Sequence, residues 1–346
     1  MAVSTTPVTE PRPLEGKGAP ILEVTDLRTY LHTRWGVTKA VDGVSFHLDP
    51  GETLGIVGES GSGKSMLALS LVRLIPEPAG RYEGGRVLLN GRDLLSLTEK
   101  QMREIRGKEI SMILQDPQQS LNPVFSVGNQ IREAIRVHDR SLDTDEAQAK
   151  AVAALESVRV PAPERRLRNF PHQLSGGMKQ RIVGAMAMAY QPQVLIADEP
   201  TTALDVTIQA QYLRLLKDLQ ERTGVGIILI THDFGVIAEA CDRVAVMYAG
   251  RIVEQGPIAD IFDNPLHPYT RALLESRPRS DATAERLQSI SGQPPSLNDL
   301  PAGCRFAERC VYVVDRCETE YPSTFLFEDE HTAACWRSEE APWASR

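Results

Sequence analysis

One glycine-rich run of eight residues restricts the possible folds of this chain more than any other sequence feature does. It reads GESGSGKS, from Gly58 to Ser65, and fits the pattern G-x-x-x-x-G-K-[ST] directly after the apolar run TLGIV. Glycines at 58, 61 and 63 let the backbone curl so that its N–H groups face phosphates, and a helix predicted near Lys64 adds its positive end. The strand in front disfavours a chance match, so the run predicts a nucleotide-phosphate site on an α/β sheet.

The side chains of this run have separate expected roles. Lys64 should reach the β- and γ-phosphates, and Ser65 should ligate Mg²⁺. The predicted phosphate-binding set consists of Gly58, Ser60, Gly61, Ser62, Gly63, Lys64, Ser65 and Met66.

A second apolar run, VLIADE, ends in two carboxylates, Asp198 and Glu199. Alone, such a pair is as typical of a strand leaving the core as of a catalytic site. Beside a phosphate loop, the functional interpretation is favoured. Asp198 would then hold Mg²⁺ through water, and Glu199 would polarise the attacking water.

The order of elements predicts the fold class. Short β-type runs fill residues 21–90, and an Ala-, Arg- and Glu-rich stretch at 126–168 predicts a helical insert. The runs QVLIADE, TIQAQYLRLLKDLQERTG and GIILITHD then alternate strand, helix and strand, which indicates a parallel sheet covered on both faces. VAVMYAGRIVEQG predicts a hairpin turning at Ala249-Gly250.

Composition narrows the class of protein. The net charge is −8, which disfavours a general nucleic-acid surface. No apolar run approaches the roughly 18 residues that span a bilayer. Residues 1–20 lack a signal-peptide pattern and are expected to form a flexible tail of a cytoplasmic protein. From Pro257 onward, frequent prolines predict a linker at 257–300 and an irregular module at 301–346.

The run LSGGMKQR stands between the two motifs, and the combination resembles the ATP-binding subunits of ABC transporters over residues 21 to about 256. The resemblance implies an α/β fold of that type. It would have a RecA-like parallel-sheet core, an antiparallel β subdomain, a helical subdomain at about 118–185, and the small Cys-rich C-terminal module. Two nucleotides would be sandwiched in a head-to-tail dimer, so that one copy holds half of each site.

The resemblance also assigns roles to residues that are ordinary by themselves. Gln115 would be the Q-loop glutamine and ligate Mg²⁺, His232 would contact the γ-phosphate, and an upstream aromatic, Trp35 or else Tyr30, would stack on adenine. Without the resemblance, these are typical surface or packed groups. The residues facing the partner subunit's ATP would be Ser175, Gly176, Gly177 and, in the D-loop Ala203-Leu204-Asp205, Asp205.

Four further runs resemble the peptide and nickel importer group, and most closely its D-type subunits: QDPQQSLNP, PHQLSGGMKQR, ADEPTTALDVTIQAQ and NPLHPYTRALL. The resemblance implies a motor for oligopeptide or dipeptide uptake at the cytoplasmic face of the membrane. Its partners would be a second, distinct ATPase, two permease subunits and an extracytoplasmic solute-binding protein, with no nucleic acid. Alternatives are an importer of nickel or another small solute, an exporter ATPase, and a soluble ABC protein acting on nucleic acid or ribosomes.

Four of the five cysteines are crowded near the C-terminus, at Cys304, Cys310, Cys317 and Cys335. Disulfides are disfavoured in a reducing cytoplasm, and both zinc and a [4Fe–4S] cluster suit four thiolates, although the spacing fits neither well. The resemblance to D-type subunits implies the iron–sulfur cluster. The fifth, Cys241, is expected to be a small buried apolar residue.

Overall fold

The computed structural model describes residues 19–116, 120–202, 204–276, 290–327 and 330–338. Residues 1–18 of the predicted tail lie outside this range. The strands are β1 Leu22–Thr33, β2 Gly36–Leu48, β3 Thr53–Val57, β4 Gly80–Leu89, β5 Arg92–Asp93, β6 Ile110–Ile113, β7 Val194–Asp198, β8 Gly226–Thr231, β9 Arg243–Tyr248, β10 Arg251–Pro257, β11 Phe325–Leu326 and β12 Thr332–Ala333. The helices are α1 Lys64–Leu71, α2 Glu99–Ile105, α3 Val127–His138, α4 Thr144–Ser157, α5 Pro163–Arg166, α6 Gly176–Ala187, α7 Val206–Thr223, α8 Phe234–Ala240, α9 Ile258–Asp263, α10 Pro268–Glu275 and α11 Asp315–Thr319.

An eight-stranded sheet forms the centre of the fold, in the order β11-β12-β10-β9-β3-β8-β7-β6. Its middle is parallel: β3 pairs with β8 and β9, and β7 pairs with β8 and β6. Every residue of β3, β7 and β8 is buried. Strands buried on both faces belong to parallel sheets covered by helices, so the predicted α/β core is confirmed.

A second, antiparallel sheet has the order β2-β1-β4-β5. It shares one apolar cluster with the central sheet, in which Phe46 of β2 lies with Ile56 of β3 and Ile228 of β8. The shared core fixes β2 against the loop that follows β3. A Cβ added to Gly63 would lie 2.1 Å from the backbone oxygen of Ala40 in β2.

The helices α3, α4 and α6 pack on one another within the sequence range predicted for the helical subdomain. Ser126 caps α3 through its hydroxyl, and Asp143 forms a capping box with Glu146 at the start of α4. These caps explain why the chain leaves β-structure here. No helix among the described residues is both long and apolar enough to cross a bilayer.

The hairpin prediction is confirmed, because β9 and β10 pair around Ala249 and Gly250, which both have positive φ. The linker prediction for 257–300 is wrong in its first part, where α9 and α10 form and Tyr269 is fully buried. Pro268 occupies the first turn of α10, where its missing N–H costs nothing, so proline density was a misleading signal. The C-terminal region also extends the central sheet, since β12 pairs with β10.

Candidate functional site

The predicted site residues of this chain follow the carboxyl ends of neighbouring parallel strands. The glycine-rich loop follows β3, Gln115 lies two residues beyond β6, Glu199 directly follows β7, and His232 directly follows β8. Carboxyl ends of parallel strands meet at one edge of the sheet, which is where α/β proteins bind ligands. The topology therefore gathers residues that are far apart in sequence.

The glycine-rich loop holds its lysine against its own backbone. The ammonium of Lys64 donates to the backbone oxygens of Gly58 at 2.7 Å and Glu59 at 2.9 Å. The side chain is buried, and burial lowers its pKa, although the carboxylates of Glu199 and Asp198 act in the opposite direction. A buried ammonium with replaceable backbone partners is suited to receive phosphate oxygens.

Two glycines of the loop are required by close contacts. A Cβ at Gly58 would lie 2.1 Å from the backbone oxygen of Met247, and Gly63, with φ of 104°, has the contact with Ala40 described above. Within the predicted set, Ser62 is buried, Met66 is partly buried, and Ser60, Gly61 and Ser65 are exposed. The loop is thus fixed on its inner side and open on its outer side.

Two other predicted catalytic residues, Gln115 and His232, contact Glu199. Its carboxylate accepts a hydrogen bond from the Gln115 amide at 3.0 Å and lies 3.3 Å from Nδ1 of His232. The hydroxyl of Thr202 donates to it at 2.9 Å. Sequence reasoning missed Thr202, whose only signal was its place three residues after Glu199.

Glu199 is held as an anion in an uncommon backbone conformation. Burial acts to raise its pKa, but hydrogen bonds from Thr202 and His232 and the charge of Lys64 outweigh burial, so that the pKa lies below its usual value. Its φ of 46° is in the left-handed region, which a glutamate rarely adopts. Strain of this kind collects at functional sites, where surrounding contacts maintain it.

Asp198 offers a buried oxygen that suits a cation. Its Oδ1 has no hydrogen-bond partner among the described residues, and burial raises the pKa of the carboxyl, opposed by a hydrogen bond from Ser65. An orphaned carboxylate oxygen beside a hydroxyl at the phosphate loop matches the oxygen ligands that Mg²⁺ prefers. The residues present therefore fit the Mg²⁺ ion predicted for Ser65 and Asp198.

The residues predicted to face a partner subunit's ATP lie at the starts of two other helices. Ser175 and Gly176 are exposed, and the Ser175 hydroxyl accepts from the backbone of Met178 as the cap of α6. Asp205 caps α7 through a bond from Ile208. Ala203 lies outside the described residues.

Gly177 lies directly under α7, because a Cβ there would come 2.7 Å from Ile208. The two helix starts are thus in contact. Because the first N–H groups of a helix have no partner within the helix, a face formed by two helix starts is of the kind that binds anions.

Trp35 lies in the turn between β1 and β2 and is 75% exposed, with the Arg34 guanidinium 4.5 Å from its ring centre. An aromatic ring packed on the sheet would be buried, so exposure favours the stacking role.

We expect Trp35→Ala to weaken ATP binding roughly fivefold or more, since stacking on a base contributes about 1 kcal/mol or more. Titration calorimetry with Mg·ATP checks this, with Tyr30→Ala as the comparison. A loss confined to the Tyr30 variant would assign the adenine to Tyr30.

The four C-terminal cysteines line one small cavity, together with His267 and Phe306. Burial raises the pKa of Cys304 to about 11 and that of Cys335 to about 12, and neighbouring thiols add to both shifts. Within the described part of the chain, no three Cys, His, Asp or Glu side chains are arranged to hold a metal ion. The donor chemistry fits a four-thiolate centre, but the iron–sulfur prediction is not confirmed. Cys241 is buried beside Gly55, as expected of a small apolar residue.

Comparison with known proteins identifies the family. The sequence pattern described as ABC transporter matches residues 41–202, and the pattern described as oligopeptide/dipeptide transporter, C-terminal region, matches residues 253–317. The oligopeptide transport ATP-binding protein OppD of Bacillus subtilis is 51% identical over 91% of this chain and 88% of its own length. The chain belongs to the ABC transporter ATP-binding proteins.

Two further similarities support this ABC ATPase assignment. A protein of Sinorhizobium fredii named "Probable peptide ABC transporter ATP-binding protein" is 54% identical over 92% of this chain and 96% of its own length. Among solved structures, the dimeric ABC transporter cassette MJ0796 has a TM-score of 0.61 and 26% identity, covering 68% of this chain and 98% of its own. The sequence-based prediction of an ABC ATPase fold and activity is confirmed.

Proposed function

We propose that this ABC ATPase drives the uptake of oligopeptides or dipeptides. The observation that carries the proposal is the match of residues 253–317 to the oligopeptide/dipeptide transporter C-terminal pattern, which lies outside the motifs shared by ABC ATPases in general. Relatives about half identical over nearly their whole length, among them the dipeptide transport ATP-binding protein DppD of Bacillus subtilis, support the same substrate class.

The site geometry supports a division of labour for hydrolysis. Lys64 and the loop backbone bind the phosphates. Ser65, Gln115 and Asp198 would hold Mg²⁺, which would neutralise charge developing on the phosphates. Glu199 orients and accepts a proton from the attacking water, and His232 donates to the γ-phosphate. The exposed Ser175, Gly176 and Asp205, together with the half-buried Gly177, complete the ATP site of a facing subunit.

Transport requires further proteins, and we propose the arrangement implied by the importer class. The facing subunit is a second, distinct ATPase, and the pair docks beneath two permease subunits that receive solute from an extracytoplasmic binding protein. ATP closes the pair, closure reorients the pore, and hydrolysis resets it. The chain is therefore placed at the cytoplasmic face of the membrane.

The substrate class is tested by uptake in cells that natively make this chain. Deletion of its gene should abolish energy-dependent accumulation of labelled di- or oligopeptides, and the wild-type gene should restore it. Labelled nickel, taken up in parallel by the same cells, serves as the control solute. Loss of nickel uptake with unchanged peptide uptake would replace the peptide proposal with the nickel alternative.

We also propose that Cys304, Cys310, Cys317 and Cys335 bind a metal centre, an iron–sulfur cluster before zinc. Support comes from the four thiols around one cavity, because four thiolates gathered so closely would need a cation to remain together. The strands of this region have only two residues each, which agrees with a segment ordered by its metal.

The expected result of anaerobic purification is about four iron atoms and four sulfides per chain, as a [4Fe–4S] cluster requires. Cys310→Ser should lose most of the iron, since one thiolate ligand is removed. Cys241→Ala, which removes a buried cysteine outside the cavity, is the matched control and should keep the iron. One zinc per chain, or no metal at all in anaerobic wild-type protein, would contradict the cluster.

A further inference from the structure

Two residues that follow the ATPase motifs in sequence, Tyr269 and Arg309, contact the glycine-rich loop directly. Both contacts are made to Glu59. The backbone N–H of Glu59 donates to the hydroxyl of Tyr269 at 2.8 Å. The Glu59 carboxylate accepts two hydrogen bonds from the Arg309 guanidinium, at 2.6 and 2.9 Å. Glu59 is the second residue of GESGSGKS, so the phosphate loop is tied to a part of the chain that holds none of the ATPase motifs.

The Arg309 side chain holds the Glu59 carboxylate in a fixed position. This arginine side chain is only 4% exposed, although it carries a full charge. The same guanidinium donates to the Tyr248 hydroxyl at 3.2 Å and to the backbone oxygen of Ser291 at 2.9 Å. A planar guanidinium with its donors directed at several fixed acceptors holds a carboxylate in one orientation.

The Tyr269 contact depends on the H-P-Y run that begins α10. His267 accepts from the backbone N–H of Tyr269 at 3.0 Å, and the buried Glu254 carboxylate accepts from the backbone N–H of His267 at 2.9 Å. The Tyr269 ring packs 4.6 Å from Tyr248 and 5.3 Å from Phe306, measured between ring centres. A buried tyrosine hydroxyl needs a polar partner, and here the partner is the phosphate loop.

Glu59 is also where the loop holds its lysine, because its backbone oxygen accepts from the Lys64 ammonium at 2.9 Å. A shift in the position of Glu59 therefore also changes the position of the Lys64 ammonium, the group that binds phosphate. Ordering a glycine-rich loop costs conformational entropy, and a loop that is already ordered binds its ligand more tightly.

We propose that Arg309 and Tyr269 are positioning residues for ATP: they hold Glu59, and with it the phosphate loop, in the conformation that receives the nucleotide. This inference rests on the proposed role of the loop as the phosphate site. It gives the H-P-Y run and the arginine before Cys310 a function in nucleotide binding rather than in transport.

The test is titration calorimetry of the full-length chain with Mg·ATP. Arg309→Ala should raise the dissociation constant about tenfold, as expected for loss of charged hydrogen bonds. Arg309→Lys should recover part of the loss, and Tyr269→Phe, which removes a single hydroxyl, should cause a smaller loss. In the assembled transporter, the KM for ATP should rise while kcat is retained.

Arg316→Ala is the matched control. Arg316 also lies beside a C-terminal cysteine, but it pairs with Glu320 at 2.8 Å and covers the Trp336 ring, with no contact to the loop. ATP affinity should be unchanged in this variant. The double variant Glu59→Ala/Arg309→Ala should bind ATP no more weakly than Arg309→Ala alone, because the arginine acts through the glutamate; additive losses would contradict that route.

Lys64→Ala distinguishes this inference from the proposed phosphate site. If Lys64→Ala binds ATP like wild type, the assignment of the loop is wrong. If Lys64→Ala loses ATP while Tyr269→Phe and Arg309→Lys bind like wild type with unchanged melting temperatures, the positioning roles are overturned. These two conservative variants carry the test where Arg309→Ala does not fold.

Discussion

Replacing Glu199 with glutamine is expected to stop ATP turnover in the assembled transporter while leaving ATP binding intact. Glutamine has the same size and keeps an oxygen that can accept the hydrogen bonds from Thr202 and Gln115. It cannot carry the negative charge that the site stabilises, since the pKa of Glu199 lies below its usual value. Loss of a general base lowers the rate by about 10²–10⁴-fold.

Phosphate release by the assembled complex measures this loss, and calorimetry with Mg·ATP checks that binding is retained. Glu239→Gln, at an exposed position on the helix that follows His232, is the matched control and should turn over like wild type. Turnover by the Glu199 variant within twofold of wild type would remove Glu199 from the mechanism.

Replacing Lys64 with alanine should weaken ATP binding by at least about 100-fold, because several charged hydrogen bonds to phosphate are lost together. The ammonium is the buried cation of the loop, held by the backbone oxygens of Gly58 and Glu59 until phosphate displaces them. The variant also leaves those two oxygens without their donor, so part of the loss reflects a less ordered loop.

Lys100→Ala, which removes an exposed lysine from α2, is the control for this variant. Calorimetry should show wild-type affinity for the Lys100 variant and no measurable affinity for the Lys64 variant at matched melting temperatures. Micromolar binding retained without Lys64 would show that the phosphates are bound elsewhere.

The catalytic part of the site follows from the sequence because its residues lie at the ends of buried parallel strands. Apolar runs predict β3, β7 and β8, and parallel pairing then forces the residues after them to one edge of the sheet. The apolar runs account for Glu199 and His232 lying close together. Gln115 follows β6, which no apolar run indicated, and the roles of Gln115 and His232 come from the resemblance to ABC transporter ATP-binding subunits.

The contacts to Glu59 could not be predicted, because they join residues separated by about 210 and 250 positions in sequence. Proline density near Pro268 predicts a linker, whereas Pro268 begins the helix α10, whose Tyr269 is buried. Strands β11 and β12 have two residues each, too few to show a period, and they form only because β10 offers an edge. Tertiary packing determines these parts of the fold.

Coupling of ATP hydrolysis to peptide transport is tested most directly in lipid vesicles. The complex would be purified from native membranes through an affinity tag on this chain and reconstituted with its solute-binding protein. We predict that peptide stimulates ATP hydrolysis, that labelled peptide accumulates in the vesicles only with ATP, and that Glu199→Gln abolishes both. Hydrolysis that is indifferent to peptide, with ATP-driven accumulation of another solute instead, would contradict the proposed function.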